Sequence, residues 1–399
     1  MEKFYKILLL DLEKKKYEIE YIDKKNMNFY MGGFALSLFF LNKNKNFKNP
    51  WMIFTSSIIE YKNPISKFII MGKNNSGKIF YKNMGGDFSY FLKSNSYDGL
   101  VLLNKSDFPV EIYIDKDRIL FNENSNKNHS NSSTFNYLRK KYGDNLSSIY
   151  ITNSTIKKDD LARLVEDKYR GCSKNLSNLL YEKNVISISV KKNNLRKINI
   201  PLIFKHNPNR QCDGCILGCF DKKSHEKENL FSIKNSYSDD DLEKLNKIKN
   251  ILDEYGIDIY GLSKSIEFSY KYLNHIYKFE NLNIDQLDNI TKKIVSDKKD
   301  EIYSDLACGK KYLEKKYKIK SLSDKKRKNI PKDYLKIIDS AGMCLFATNP
   351  KDLSNIVNTI NELSNSNYSI DDVKNLIKEI GKLERGCCKS PNIEKRRGN

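Results

Sequence analysis

The hydrophobic pattern of the chain changes once, and this change constrains the fold more than any other feature. Residues 1–203 hold short β-type runs bounded by Gly, Asn and Pro, among them "YKILLLDL", "WMIFTSSII", "KFIIMGK" and "VISISV". From about residue 238 the spacing becomes helical, as in "DDLEKLNKIKNILDEYG", with Ser238 or Asp239 as cap and Gly256 as stop. The pattern predicts an α+β protein, a β-rich N-terminal domain followed by mainly α-helical domains.

The same pattern predicts three domains within the 399 residues. They are a β-rich domain at 1–203, a helical domain at 204–320 and a shorter C-terminal helical domain at 321–399. The polar segment 122–133, "NENSNKNHSNSS", is predicted to be a loop. No internal repeat is visible in the sequence.

Charge and hydropathy indicate the partners. The net charge is +21, but lysine is spread along the whole chain with asparagine, and no segment interleaves aromatic residues with arginine. We therefore expect no specific nucleic-acid binding, although a basic iron–sulfur protein acting on nucleic acid stays an alternative. No apolar run approaches the roughly 18 residues of a membrane helix, and no signal peptide is visible. The sequence predicts a cytoplasmic protein without membrane contact.

The segment "RQCDGCILGCF" places three cysteines, Cys212, Cys215 and Cys219, in C-x2-C-x3-C spacing. One further thiolate would complete a four-cysteine iron–sulfur or zinc site. The order of the gaps is the reverse of that in radical enzymes that cleave S-adenosylmethionine, so the spacing speaks against that class. The residues alone leave several choices for the fourth ligand: Cys172, Cys308, Cys344 and the pair Cys387 and Cys388.

Two similar hexamers occur in the helical region. They are "DEYGID", from Asp253 to Asp258, and "DSAGMC", from Asp339 to Cys344. A glycine that closes a helix lets the backbone approach a ligand, and the flanking carboxylates can accept hydrogen bonds from NH-rich rings. The alternative is a pair of ordinary helix C-caps with nearby aspartates.

With these motifs in place, the chain resembles the aldehyde ferredoxin oxidoreductase family, as a shortened and divergent member. The resemblance begins with "KILLLDLEKKKYEIEYI" and "YMGGFALSLFFL" and continues through "NMGGDFSYFLKSNSYDG", its most specific element. It extends through "YEKNVISISV", the cysteine motif, the two hexamers and "IGKLER". It implies a tungsten (or molybdenum) bis-pterin cofactor and one 4Fe-4S cluster, with magnesium as a further candidate.

The resemblance also implies roles for individual residues. The cluster would be held by Cys212, Cys215, Cys219 and Cys344. The two hexamers would contact the two pterins, and the sheet domain would hold the cofactor phosphates and magnesium, with lysine at a position where the family usually has arginine. The implied cofactor-binding residues are Lys67, Asn83, Gly85, Gly86, Asp253, Gly256, Asp258, Asp339 and Gly342.

The implied activity is oxidation of an aldehyde or other substrate, with electrons passed to ferredoxin or a similar carrier. Glu228 is the candidate catalytic acid or base, against the alternative of a solvated glutamate in a charged run. The stretch between Lys315 and Asp339 is shorter than in the family, which points to a larger substrate, a peptide among them. A homodimer is the candidate assembly. The alternative function is a non-catalytic or electron-transfer relative that keeps the fold and cluster.

Overall fold

The computed structural model describes most of the chain outside the cysteine motif. The described residues are 4–23, 32–43, 51–56, 67–73, 79–124, 126, 128–156, 161–167, 170–172, 174–193, 239–279, 282–296, 301–319, 331–344, 352–364 and 366–388.

Two six-stranded sheets build the N-terminal half of the described chain. Sheet 1 has the order β2-β1-β6-β3-β4-β5, and sheet 2 has the order β11-β10-β9-β12-β7-β8. The strands are β1 (Phe4–Asp11), β2 (Lys16–Asp23), β3 (Trp51–Thr55), β4 (Lys67–Lys73), β5 (Ile79–Gly85), β6 (Gly99–Leu103), β7 (Val110–Asp115), β8 (Arg118–Glu123), β9 (Leu146–Tyr150), β10 (Leu164–Glu166), β11 (Arg170–Cys172) and β12 (Val185–Lys191).

Helices separate some of the strands and make up the second half. Those of the sheet domain are α1 (Gly33–Lys43), α2 (Phe88–Ser94), α3 (Asn131–Tyr142), α4 (Asn153–Ile156) and α5 (Lys174–Glu182). Those that follow are α6 (Asp239–Tyr255), α7 (Ile259–Tyr272), α8 (Asn274–Tyr277), α9 (Ile284–Val295), α10 (Glu301–Ala307), α11 (Lys310–Lys316), α12 (Lys332–Ala341), α13 (Leu353–Ser364) and α14 (Ile370–Cys388). The predicted α+β class is confirmed, as is the predicted helix that ends before Gly256.

The two sheets are copies of one topology. In sheet 1, β1 pairs antiparallel with β2 and parallel with β6, and β6, β3, β4 and β5 then follow in antiparallel order. In sheet 2, β7 pairs in the same way with β8 and β12, followed by β9, β10 and β11. The N-terminal domain therefore contains a structural repeat that the sequence does not reveal, because the two sheets share their strand pairing without recognisable sequence similarity.

Alternation along the strands explains how the layers pack. Leu8, Leu10 and their neighbours on sheet 1 face a core that also contains Ile112 and Ile188 of sheet 2, together with α2 and α5. The opposite face of sheet 1 carries Ile7 and its partners and packs against α1 and α12–α14. The opposite face of sheet 2 packs against α3.

The helices after residue 238 divide between two cores. Helices α6–α11 share a hydrophobic core of their own, whereas α12–α14 share theirs with sheet 1 and α1. The predicted domain boundaries at 203/204 and 320/321 lie outside the described residues. Within the described chain, no helix is long and apolar enough to cross a membrane.

The polar segment 122–133 is only partly the loop that its composition predicts. Strand β8 continues to Glu123, and α3 begins at Asn131, where the side chain of Ser130 accepts a hydrogen bond from the Ser133 N–H at 3.3 Å. A serine-rich stretch reads as a loop by composition, yet serine is also a preferred helix N-cap. The loop prediction is wrong for the residues that open α3.

Candidate cofactor site

Both D-x-x-G hexamers are glycine-terminated helix ends with the same hydrogen bonds. At the end of α6, Ile257 N–H donates to the Leu252 carbonyl at 3.0 Å, and Gly256 N–H reaches the Asp253 carbonyl at 3.2 Å. The end of α12 repeats this pattern with the bonds Met343 to Ile338 at 3.0 Å and Gly342 to Asp339 at 3.2 Å. These are Schellman motifs, so the helix-cap interpretation describes the local geometry of both hexamers correctly.

Both helix ends also dock on the sheet domain at equivalent places, which an ordinary cap does not require. The Gly342 carbonyl accepts a bond from the backbone N–H of Lys67 at 2.7 Å, where β4 begins. The Gly256 carbonyl accepts a bond from the backbone N–H of Arg163 at 3.0 Å, directly before β10. Since β4 and β10 are the fourth strands of the two copies, each copy holds one motif in the same way.

The first motif is fixed by side chains that lie next to the strands of the second copy, in α4 and directly before β10. Arg163 forms an ion pair with Asp253, with 2.6 Å between Nη2 and Oδ1, and the Ser154 hydroxyl donates to the Gly256 carbonyl at 2.8 Å. A Cβ on Gly256 would lie 1.8 Å from Thr152 Oγ1. The backbone of Gly256 thus approaches protein atoms closely, where the sequence suggested close approach to a ligand.

Asp258 ends the first hexamer and begins the next helix. Its backbone N–H donates to the Leu161 carbonyl at 2.8 Å, and it occupies the N-cap position of α7 in an extended conformation without a side-chain capping bond. A Cβ on Gly261 would lie 2.9 Å from Asp258 Oδ2. The Asp258 carboxylate therefore lies over the first turn of α7.

The second motif is fixed by Asn83 of β5. Its Nδ2 donates to Asp339 Oδ1 at 2.7 Å and to the Met343 carbonyl at 3.1 Å. The two acceptors determine the orientation of the amide, because the flipped amide would place its oxygen against two oxygens. The resemblance implies that Asn83 binds the cofactor, and the structure gives its side chain a second role in holding the end of α12.

Electrostatics differ at the second motif because the Asp339 carboxyl is half-buried and loses part of its hydration. Burial raises the pKa of Asp339, while the hydrogen bond from Asn83 and the charge of Lys82 act in the opposite direction. A carboxylate that costs free energy to bury is a typical feature of a binding site rather than of a plain helix end.

We expect Asp339→Asn to stabilise the metal-free protein increasingly as the pH rises. The asparagine can keep the hydrogen bond from Asn83 without burying a charge. Because the folded-state pKa of Asp339 is raised, its favourable contribution is present below the unfolded-state value near 3.8 and is lost as the pH passes through the folded-state value. Urea unfolding of both proteins from acid to neutral pH measures the difference.

Asp333→Asn, a change of an exposed carboxylate on the same helix, is the matched control. It should leave the pH dependence close to that of the wild type. A stability difference between wild type and Asp339→Asn that stays constant with pH would show that burial of Asp339 is not the cause.

The two glycines of "NMGG" make room for charged side chains. A Cβ on Gly85 would lie 2.3 Å from Lys67 Nζ, and one on Gly86 would lie 2.0 Å from the carboxylate of Glu166. Glu166 is 1% exposed and accepts bonds from the N–H groups of Asp87 and Phe88 at 2.9 and 3.3 Å, at the start of α2. Packing alone therefore requires glycine at positions 85 and 86, whether or not these residues also bind a cofactor.

Of the predicted cluster ligands, the structure places Cys344 only. It is 9% exposed and lies in the core shared by α1, α12, α13 and α14. The other three predicted ligands, Cys212, Cys215 and Cys219, lie outside the described residues, as does Glu228. Within the described part of the chain, no three His, Cys, Asp or Glu residues are grouped to hold a metal.

Sequence reasoning missed the residues that hold the motifs from the other side. Arg163 gave no signal, because a single arginine in "DDLARL" matches no motif. Glu254, inside the first hexamer, accepts a 2.9 Å bond from the N–H of Ser132 in the first turn of α3. Correspondingly, a Cβ on Gly33, which opens α1, would lie 2.2 Å from the Asp339 carbonyl. Helix α3 follows the second strand of its copy, as α1 does in the other copy. The contact of α3 with the first hexamer and that of α1 with the second are therefore equivalent, and only the duplicated topology shows it.

Two buried polar atoms at the docking points have no hydrogen-bond partner among the described residues. One is an acceptor, Asn83 Oδ1, and the other is a donor, Arg163 Nε. A polar ligand that offers both donors and acceptors fits this pair, because each unsatisfied buried atom costs free energy in its absence.

Known proteins resemble this chain in its N-terminal domain and in its fold. Residues 7–192 match the family model for the aldehyde ferredoxin oxidoreductase N-terminal domain. No curated protein matches the chain. Among solved structures, the active-site complex BamBC of benzoyl coenzyme A reductase with 1,5-dienoyl-CoA has a TM-score of 0.67 at 14% identity, covering 97% of this chain and 90% of that chain. At this identity the likeness shows a common fold.

Proposed function

We propose that this chain, whose residues 7–192 match the model of the aldehyde ferredoxin oxidoreductase N-terminal domain, is an oxidoreductase with a tungsten (or molybdenum) bis-pterin cofactor and one 4Fe-4S cluster. The observation that carries the proposal is the equivalent docking of the two D-x-x-G helix ends on the two copies of the sheet. A cofactor with two similar halves suits a protein with two similar binding motifs.

The residues present suit such a group. Asp253 and Asp258 would accept hydrogen bonds from one pterin and Asp339 from the other, while Lys67 would bind phosphate. Asn83 Oδ1 would face a donor or a cation such as magnesium. When bound, the metal–pterin group supplies exchange of two electrons with the substrate.

The cluster would be held by Cys212, Cys215, Cys219 and Cys344. Cys344 ends the second hexamer, two residues after Gly342, so the chain would connect the cluster directly to one pterin site. That arrangement suits passing electrons singly to ferredoxin or a similar carrier. Glu228 stays the proposed acid or base that moves the substrate proton.

We propose an aldehyde, another oxo compound or a bulkier anionic molecule as substrate. The strongly basic composition would attract anions, and the fold is shared with a protein whose structure was solved in complex with 1,5-dienoyl-CoA. An assay with a viologen acceptor should compare small neutral aldehydes with acyl-CoA compounds and acidic peptides. The proposal of a bulky substrate would be contradicted by turnover restricted to small aldehydes.

Protein purified without oxygen should contain pterin, tungsten or molybdenum, and about four irons per chain. Pterin is measured by fluorescence after oxidative release, and the metals by mass spectrometry. Loss of pterin in Asp253→Ala, with retention in Asp333→Ala, would tie the cofactor to the first motif. Iron without pterin would favour the alternative, an electron-transfer relative, and protein with neither group would overturn the proposal.

A further inference from the structure

The duplicated fold gives Lys67 a counterpart in the second copy. Backbone N–H groups of Lys67 and Arg163 donate to the carbonyls of the two motif glycines, at 2.7 and 3.0 Å. Lys67 is the first residue of the fourth strand of its copy, and Arg163 directly precedes the fourth strand of the other. The equivalence of Lys67 and Arg163 therefore rests on backbone hydrogen bonds and strand order. As a result, each motif is bonded to the backbone of one basic residue.

The contacts of Arg163 leave part of its guanidinium without an identified partner. Nη2 pairs with Asp253 at 2.6 Å, whereas Nε is buried and has no acceptor among the described residues. The Arg163 side chain is 16% exposed and that of Asp253 is 30% exposed, so the pair lies at the edge of the protein surface. A guanidinium has five N–H donors in a fixed plane, and it can hold a carboxylate and bind a second anion at the same time.

We infer that Arg163 is a ligand-binding residue of the first motif, which binds an anionic oxygen, of the phosphate class, in the ligand held there. This inference rests on the proposed function for the identity of that ligand. Arg163 would bind phosphate at the first motif as Lys67 would at the second, but with a rigid fork in place of a point charge. The two halves of the site would thus differ in the geometry with which they hold phosphate.

The experiment compares Arg163→Lys and Arg163→Gln with Arg139→Lys. Arg139 belongs to the same copy, is 25% exposed and donates to the Leu146 carbonyl at 2.9 Å, so it controls for exchanging a structural arginine. Two quantities are measured: pterin content per chain, and the shift in unfolding midpoint that inorganic pyrophosphate produces in the metal-free protein.

Loss of a charge-assisted bond should lower pterin content or pyrophosphate affinity of Arg163→Gln roughly tenfold or more, with Arg139→Lys unchanged. Arg163→Lys should keep the unfolding midpoint, because lysine can still pair with Asp253, yet bind the ligand less well. If Arg163 had a purely structural role, Arg163→Lys would keep both the unfolding midpoint and the ligand binding of the wild type. Wild-type values of both quantities in Arg163→Gln would overturn the inference.

The two proposals can fail separately. Wild-type protein without pterin refutes the cofactor proposal, and the pyrophosphate shift then decides the role of Arg163 alone. Wild-type protein with pterin, together with Arg163 variants that retain it and respond normally to pyrophosphate, refutes only the role of Arg163.

Discussion

Replacing Cys344 with serine should remove most of the iron from protein purified without oxygen, from about four atoms per chain to near zero. In the proposed four-cysteine cluster each iron is held by one thiolate, and a serine hydroxyl is a poor substitute for it. Cys344 is 9% exposed and stands two residues after the helix end that Asn83 and Lys67 fix, so its position is well defined. Iron analysis and visible absorption measure the loss.

Cys308→Ser is the matched control for this experiment. The Cys308 thiol is half-buried and lies 3.5 Å from the Ser304 carbonyl, directly after α10, a helix that packs in the core of α6–α11. Cys172→Ala should likewise keep the iron, whereas Cys212→Ala should lose it. A full cluster in Cys344→Ser, with loss in Cys308→Ser or Cys172→Ala, would place the fourth ligand elsewhere.

Local patterns in the sequence predict the local parts of this fold. Strands β1, β4 and β12 follow from their hydrophobic runs, and α6 follows from its spacing and from Gly256. Strands β10 and β11 have three residues each, too few for a periodic signal. Their existence depends on pairing with β9 and with each other, which only the folded chain provides.

The site divides in the same way. The glycines of the two hexamers are visible in the sequence because a helix end needs such a residue. Asn83 entered through a family resemblance, but its hydrogen bond to Asp339 joins residues 256 positions apart. The roles of Arg163 and Thr152 are seen only in the folded chain, where both residues contact the end of α6. Contacts between distant residues leave no periodic trace, so sequence reasoning could not supply the residues that hold the motifs.

Replacing Gly256 with alanine should destabilise the metal-free protein by roughly 2–5 kcal/mol. The φ angle of Gly256 is +86°, which costs an alanine free energy, and the new Cβ would lie 1.8 Å from Thr152 Oγ1. The glycine cannot move away easily, because its carbonyl is held by the N–H of Arg163 and by the Ser154 hydroxyl. Urea unfolding, monitored by circular dichroism, measures the change.

Gly143→Ala separates the two causes. Gly143 also follows a helix and has a φ of +93°, but a Cβ there would meet nothing within 4 Å. Its replacement should cost only the backbone part, about 1–3 kcal/mol, because its φ of +93° with a ψ of 168° is a conformation adopted almost only by glycine. The double variant Gly256→Ala with Thr152→Gly should recover part of the difference, since it removes the opposing side chain.

The same variants test whether the helix end also serves a cofactor. Gly256→Ala should displace the docked end of α6, carrying Asp253 and Asp258 with it, and should lower pterin content even where the protein stays folded. Gly143→Ala should leave pterin content unchanged, because the end of α3 carries neither motif. If Gly256→Ala costs no more stability than Gly143→Ala and keeps its pterin, the first hexamer is a helix cap whose glycine serves the backbone alone.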